Sequence, residues 1–173
     1  DPISKTNPEQ GYIYLKDVHS AVGSLKKAGL TPKEFLSVLK NNEKEIIFLN
    51  KSLISIFSER THHSQFPQLK KFLKELEKHK APAFPLPHIH PLSFYFTDSL
   101  IKALNEAEKN GSTKPLTFWK EKWLTKDEKG VMVLKDTILL PKLYSLLSVY
   151  EQYMEKMYAL GYYDFDDMLL EVI

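Results

Sequence analysis

The chain has 173 residues, 43% of them hydrophobic, enough apolar material for one compact domain or two small subdomains and too much for a disordered tail. Its 24 basic and 22 acidic side chains leave a formal net charge of +2, too even a balance to announce a nucleic-acid binder, so any basic face must come from arrangement. With no cysteine, disulfide scaffolds, thiolate zinc sites and thiol nucleophiles are excluded.

No apolar run approaches the ~20 residues of a membrane-spanning helix, and the N-terminus lacks the charged-then-apolar layout of a signal peptide. The expectation is a soluble, cytoplasmic protein with no membrane partner. The chain opens on Asp1-Pro2 without an initiator methionine, and Met168, Leu169, Leu170, Val172 and Ile173 form an apolar run with no polar closing segment. Both ends are expected to be cuts through a longer protein.

Residues 1 to 11 hold two prolines, an asparagine and a glycine without periodicity and read as an extended lead-in. Val18, Ala21, Val22 and Leu25 then fall on one helical face, with Gly29 placed to end the helix. Thr31-Pro32-Lys33-Glu34 is a second start: a Thr cap, Pro at the first helical position, and Glu completing a capping box. Its apolar stripe runs through Phe35, Leu36, Val38 and Leu39 and can be followed past Asn41-Asn42 to Phe57. Pro67 opens a third helix striped by Leu69, Phe72, Leu73 and Leu76. Four prolines in residues 81–91 make that stretch an extended connector and the expected internal boundary. A helix over Leu92 to Asn110 should stop at Gly111, a short aromatic helix should cover Pro115 to Leu124, and Asp127-Glu128-Lys129-Gly130 before Val131 to Leu134 is the one strand-and-turn signal. From Leu139 a heptad-like seam (Leu139, Leu143, Leu146, Tyr150, Tyr153, Met157) predicts a long helix packed within its own bundle, ended by Gly161. Asp164 then stands at a helix N-cap position with Asp167 in the first turn. The fold expected is mainly α: an irregular helical bundle with a Pro-rich connector and at most one short β-hairpin.

Tyr162-Tyr163-Asp164-Phe165-Asp166-Asp167-Met168-Leu169-Leu170 resembles the Asp-Phe-Asp-Asp-Leu-Leu signature of UvrD/Rep/PcrA-type superfamily I DNA helicases. Leu143 to Tyr153 resembles the Tyr- and Leu-rich helix preceding it, and Ser24-Leu25-Lys26-Lys27-Ala28-Gly29-Leu30-Thr31-Pro32-Lys33-Glu34-Phe35 is similar to the lysine-bearing stretch that leads into that family's accessory subdomain, called 1B. The resemblance covers about a third of the chain. It departs at Met168, where leucine is usual, and leaves the middle, from about Glu43 to Ile138, without a counterpart. It implies that residues 1–173 are an accessory, 1B-like helical region inserted in the first RecA-like motor domain of a helicase. On that resemblance the partners are DNA and the remaining helicase domains, and ATP and magnesium belong to the parent enzyme, which would unwind DNA 3′ to 5′ in replication or repair.

The residues themselves offer little chemistry. None of the six glycines begins a G-x-x-x-x-G-K-[ST] phosphate loop, so no ATPase site and no cofactor are expected within the chain. Asp164, Asp166 and Asp167 can be imagined as a metal or acid/base cluster, but Asp164 reads better as a cap, Asp166 and Asp167 as first-turn charges, and Phe165 as an apolar anchor. Histidines 62, 63, 79, 88 and 90 lack a third ligand at convincing spacing and read as solvated loop residues rather than zinc ligands. No Gly-x-Ser-x-Gly elbow orders an acyl-transfer triad, so neither a catalytic nor a metal site is expected.

The stretch from Lys109 to Lys129 is the best candidate for touching DNA, since it interleaves lysines with Phe118, Trp119 and Trp123. Lys114, Trp119, Lys120, Lys122 and Trp123 are the candidate contacts. The competing reading makes the two indoles, four residues apart on one helical face, core anchors and the lysines ordinary solvated positions. Arg60 is the single arginine, so any contact should be independent of base sequence. A stand-alone helical protein-interaction module, docking a partner through an exposed seam or the connector, is the alternative function.

Overall fold

A computed structural model describes residues 5–7, 11–58, 60–164 and 167. These form α1 (Leu15–Lys27), α2 (Pro32–Phe57), α3 (Phe66–Lys78), α4 (Leu92–Asn110), α5 (Lys114–Trp123) and α6 (Lys135–Leu160), with short strands β1 (Thr6–Asn7), β2 (Gly11–Tyr12), β3 (Leu124–Lys126) and β4 (Met132–Leu134). The mainly helical class is as expected. The strands make two antiparallel pairs, β1 with β2 and β3 with β4. The first lies in the lead-in, where no alternation announces it. Among the described residues no helix is long and apolar enough to cross a membrane.

The chain divides into two compact units, Asp1–Lys40 with Leu139–Ile173, and Asn41–Ile138. Both points of division fall inside long helices, α2 and α6, rather than in a linker. The expected boundary at 81–91 is therefore corrected: that segment lies within the second unit. Its prolines end helices, but they do not remove it from its neighbours, because Asn41 Nδ2 donates to the Ala83 carbonyl (2.8 Å) and the Leu92 N–H donates to Asn42 Oδ1 (3.2 Å). The paired asparagines, weak helix formers inside α2, are thus the side chains that hold the connector's two ends.

In the first unit, α1 is closed by Gly29 at φ 73°, in the left-handed region that costs glycine least, with the Leu30 N–H donating to the Leu25 carbonyl (3.0 Å). The capping box of α2 is formed: the Glu34 N–H donates to Thr31 Oγ1 (3.3 Å) and the Thr31 N–H to Glu34 Oε2 (2.8 Å). Val22, Phe35, Leu39, Leu147, Tyr150 and Met154 form the core. Leu147 and Met154 were absent from the heptad seam, whereas Leu139 is 45% exposed. A straight helix turns every 3.6 residues, so its buried stripe drifts off a strict seven-residue repeat. Tyr150, wholly enclosed, donates its hydroxyl to the Leu30 carbonyl (3.0 Å), and burial pushes the phenol up to about 12.

In the second unit, Phe96 of α4 sits against Phe72, Trp119 and Trp123, with ring centroids 6.3, 4.9 and 5.6 Å away. Burying a ring of this size stabilises by about 1.5–3 kcal/mol. Gly111, at φ 58°, closes α4 where the sequence placed the stop. The β3–β4 turn is tied by Asp127 Oδ1, which accepts from the N–H groups of Lys129 (2.9 Å) and Val131 (2.8 Å). Helix α6 begins four residues before Leu139 and carries Pro141 inside it, contrary to the expected start. Asn50 accounts for the early start: its Oδ1 accepts from the Leu134 N–H (2.8 Å) and its Nδ2 donates to Thr137 Oγ1 (2.9 Å), a cap supplied from another helix.

Candidate functional site

Lys26, near the end of α1, is enclosed to 1% exposure, a position lysine takes almost only when paired. Its ammonium lies 2.7 Å from Asp164 Oδ2 and 2.5 Å from Asp167 Oδ1, and 3.4 Å from the Tyr153 hydroxyl, which itself donates to Asp164 Oδ2 (2.9 Å). The two aspartates also lock each other: the Asp167 N–H donates to Asp164 Oδ1 (2.8 Å) and the Asp164 N–H to Asp167 Oδ2 (2.9 Å), the reciprocal pair of a capping box. Burial pulls the Lys26 ammonium down, but its bonds to Asp164, Asp167 and Tyr153 together hold it above the ordinary lysine value. Burial likewise opposes the Asp164 charge, and the bonds from Lys26, the Asp167 backbone and Tyr153 overcome it, lowering the carboxyl to about 2. A lysine held protonated is neither base nor nucleophile, so the cluster works as a structural clasp. Phe165 and Asp166 of the same motif lie outside the described residues.

On α5 the five candidate DNA contacts separate by helical face. Trp119 is 4% exposed, donates Nε1–H to Ser99 Oγ (2.9 Å) and packs on Phe57 (5.5 Å), so it is a core anchor. Trp123 is half-buried against Phe96. Lys120 is half-buried as well; its Nζ donates to the Phe57 carbonyl at the end of α2 (3.0 Å) and lies 5.7 Å from the Phe57 ring centroid. Lys114 and Lys122 are exposed, as is Phe118 between them at 68%. The expected set is thus corrected in part: Trp119 cannot meet a base without opening the core, and the ring available for stacking is Phe118. Its signal was the spacing, four residues after Lys114 and four before Lys122, which aligns the three side chains in one row. A groove of about 510 Å³ runs beside that row, with Lys102 of α4 on its wall.

His79 departs from its reading as a solvated loop residue. Its ring stacks on Phe48 (centroids 3.9 Å apart) and its Nε2 lies 2.7 Å from Oε1 of Glu45, a carboxylate 1% exposed. No spacing rule joins residues 34 apart, so only the fold could pair them. His90 packs on Phe94 (4.7 Å). Among the described residues no three His, Asp or Glu side chains gather as a metal site would require.

No family model, curated protein or solved structure matches this chain.

Proposed function

We propose that this chain is the non-catalytic, DNA-guiding accessory region of an ATP-dependent helicase of the UvrD/Rep type. The observation that carries the reading is the Lys26 clasp: the two stretches that resemble that family, one around Lys26 and one around Asp164-Phe165-Asp166-Asp167, are joined by a buried ion pair. The unit formed by Asn41–Ile138 falls between them, nearly coincident with the segment that has no counterpart in the resemblance. On this reading the unit is an enlargement carried by α2 and α6. ATP and magnesium are handled by motor domains, not by this chain, and the exposed row Lys114, Phe118 and Lys122 meets nucleic acid without regard to base sequence.

The reading frame on either side tests this directly. It should encode a phosphate-binding lysine loop upstream and an Asp-Glu-x-Gln stretch soon after Ile173; a frame without them overturns the proposal. A second reading, the protein-interaction module, is favoured by the exposed pair Phe94 and Tyr95 beside His90 at the end of the connector, and it would gain from that same negative result.

A further inference from the structure

Next to the Lys114–Phe118–Lys122 row, a second face of α5 forms one wall of a cleft of about 480 Å³, lined by both polar and apolar side chains. Thr113, Thr117 and Lys120 follow one another along that face at helical spacing. Arg60, just after α2, and Thr125 and Lys126 of β3 also line the cleft. Three cations, one of them the only arginine in the chain, therefore line one space, in which Glu121 is the acidic residue among the described lining residues. We propose that this cleft binds a phosphate group, with Arg60 and Lys126 as exposed charge donors, Lys120 as a fixed one, and threonine hydroxyls completing the coordination.

Burial first, and then the charge of Lys126, lower the Lys120 ammonium from the ordinary lysine value. One of its donors is directed to the Phe57 carbonyl, which fixes the ammonium at the cleft wall. Arginine's fork suits a tetrahedral oxyanion, and hydroxyls such as that of Thr125 can donate to the remaining oxygens. The cleft has room for one phosphate and its neighbouring atoms, which fits either a free anion or a phosphodiester of a nucleic-acid strand. The inference does not depend on the helicase reading.

The test is a titration of the full chain with inorganic phosphate, followed by the fluorescence of Trp119 and Trp123 on α5, and a parallel titration with oligothymidylate. Arg60→Ala and Lys126→Ala are compared with Lys71→Ala, the same loss of charge on α3 away from the cleft. Saturable phosphate binding that weakens about tenfold in each cleft variant and is unchanged in Lys71→Ala supports the proposal. Oligothymidylate that competes with phosphate identifies a strand as the source; one that does not identifies the free anion. Phosphate binding that is absent, or equal in all variants, overturns the proposal. So does oligothymidylate binding indifferent to Arg60 and Lys126 in a chain that ignores phosphate, an outcome that leaves the helicase reading standing.

Discussion

Lys26 Nζ lies 2.7 Å from Asp164 Oδ2 although 138 residues separate them along the chain, and the same ammonium reaches Asp167, whose side chain is 4% exposed. A charge enclosed to this degree survives only with its partner. The clasp therefore ties the end of α1 to the turn that follows α6.

Lys26→Ala should destabilise the chain by about 3–5 kcal/mol, because it strands the Asp167 carboxylate in the interior. Urea unfolding followed by far-ultraviolet circular dichroism reads this. Combining Lys26→Met with Asp164→Asn and Asp167→Asn should recover much of the loss, since the caps remain while the buried charges go. Equal stability of wild type and Lys26→Ala would refute the clasp.

The folded-state pKa of Asp164 lies at about 2, below the ordinary 3.8, so its contribution to stability is complete above the ordinary value and fades as pH falls toward 2. Tyr150 has the opposite sign: its phenol is raised from 10.0 to about 12, so its share is present below 10 and lost as pH climbs toward 12. Denaturation midpoints across pH should fall at both extremes, and Asp164→Asn should flatten only the acid limb.

If the proposed nucleic-acid role holds, Phe118→Ala should weaken binding of single-stranded oligonucleotides by about 1–3 kcal/mol through lost stacking. Replacing Lys114 and Lys122 together by Ala should reduce the slope of log affinity against log salt by about 1.4, or about 0.7 per phosphate released from a single strand. Fluorescence anisotropy across salt concentrations measures both. An unchanged slope removes this row as a binding surface.

His79→Ala should cost about 1–3 kcal/mol by leaving the Glu45 carboxylate without its imidazole partner and Phe48 without its stacked ring. Both tryptophans lie in the unit that contains this pair, so tryptophan fluorescence during thermal unfolding reports it. Glu45→Gln should lose less, since an uncharged amide is cheaper to enclose.

Local signals proved readable where the deciding atoms are close in sequence. The stop at Gly29, the box of Thr31 and Glu34, the stop at Gly111 and the capping of the Asp167 N–H by Asp164 each involve residues within one or two turns, and each is present. The early start of α6 was hidden because its cap comes from Asn50, in a different helix. The proline-rich segment misled for a related reason, since composition reports where a helix ends but not what holds the chain afterwards.

Of the site, the sequence alone determined the inventory: where lysines, aspartates and aromatic rings stand along the chain, and that lysines and rings alternate along α5. Only the tertiary structure decided that Lys26 is the counter-charge of the two aspartates, that Phe118 faces outward while Trp119 faces in, and that Arg60 stands with Lys120 and Lys126 around one cleft. Capping and helical spacing act over a few residues and leave their mark in the local pattern. Ion pairing, ring packing and charge convergence act through space, between residues whose separation along the chain carries no trace of their contact.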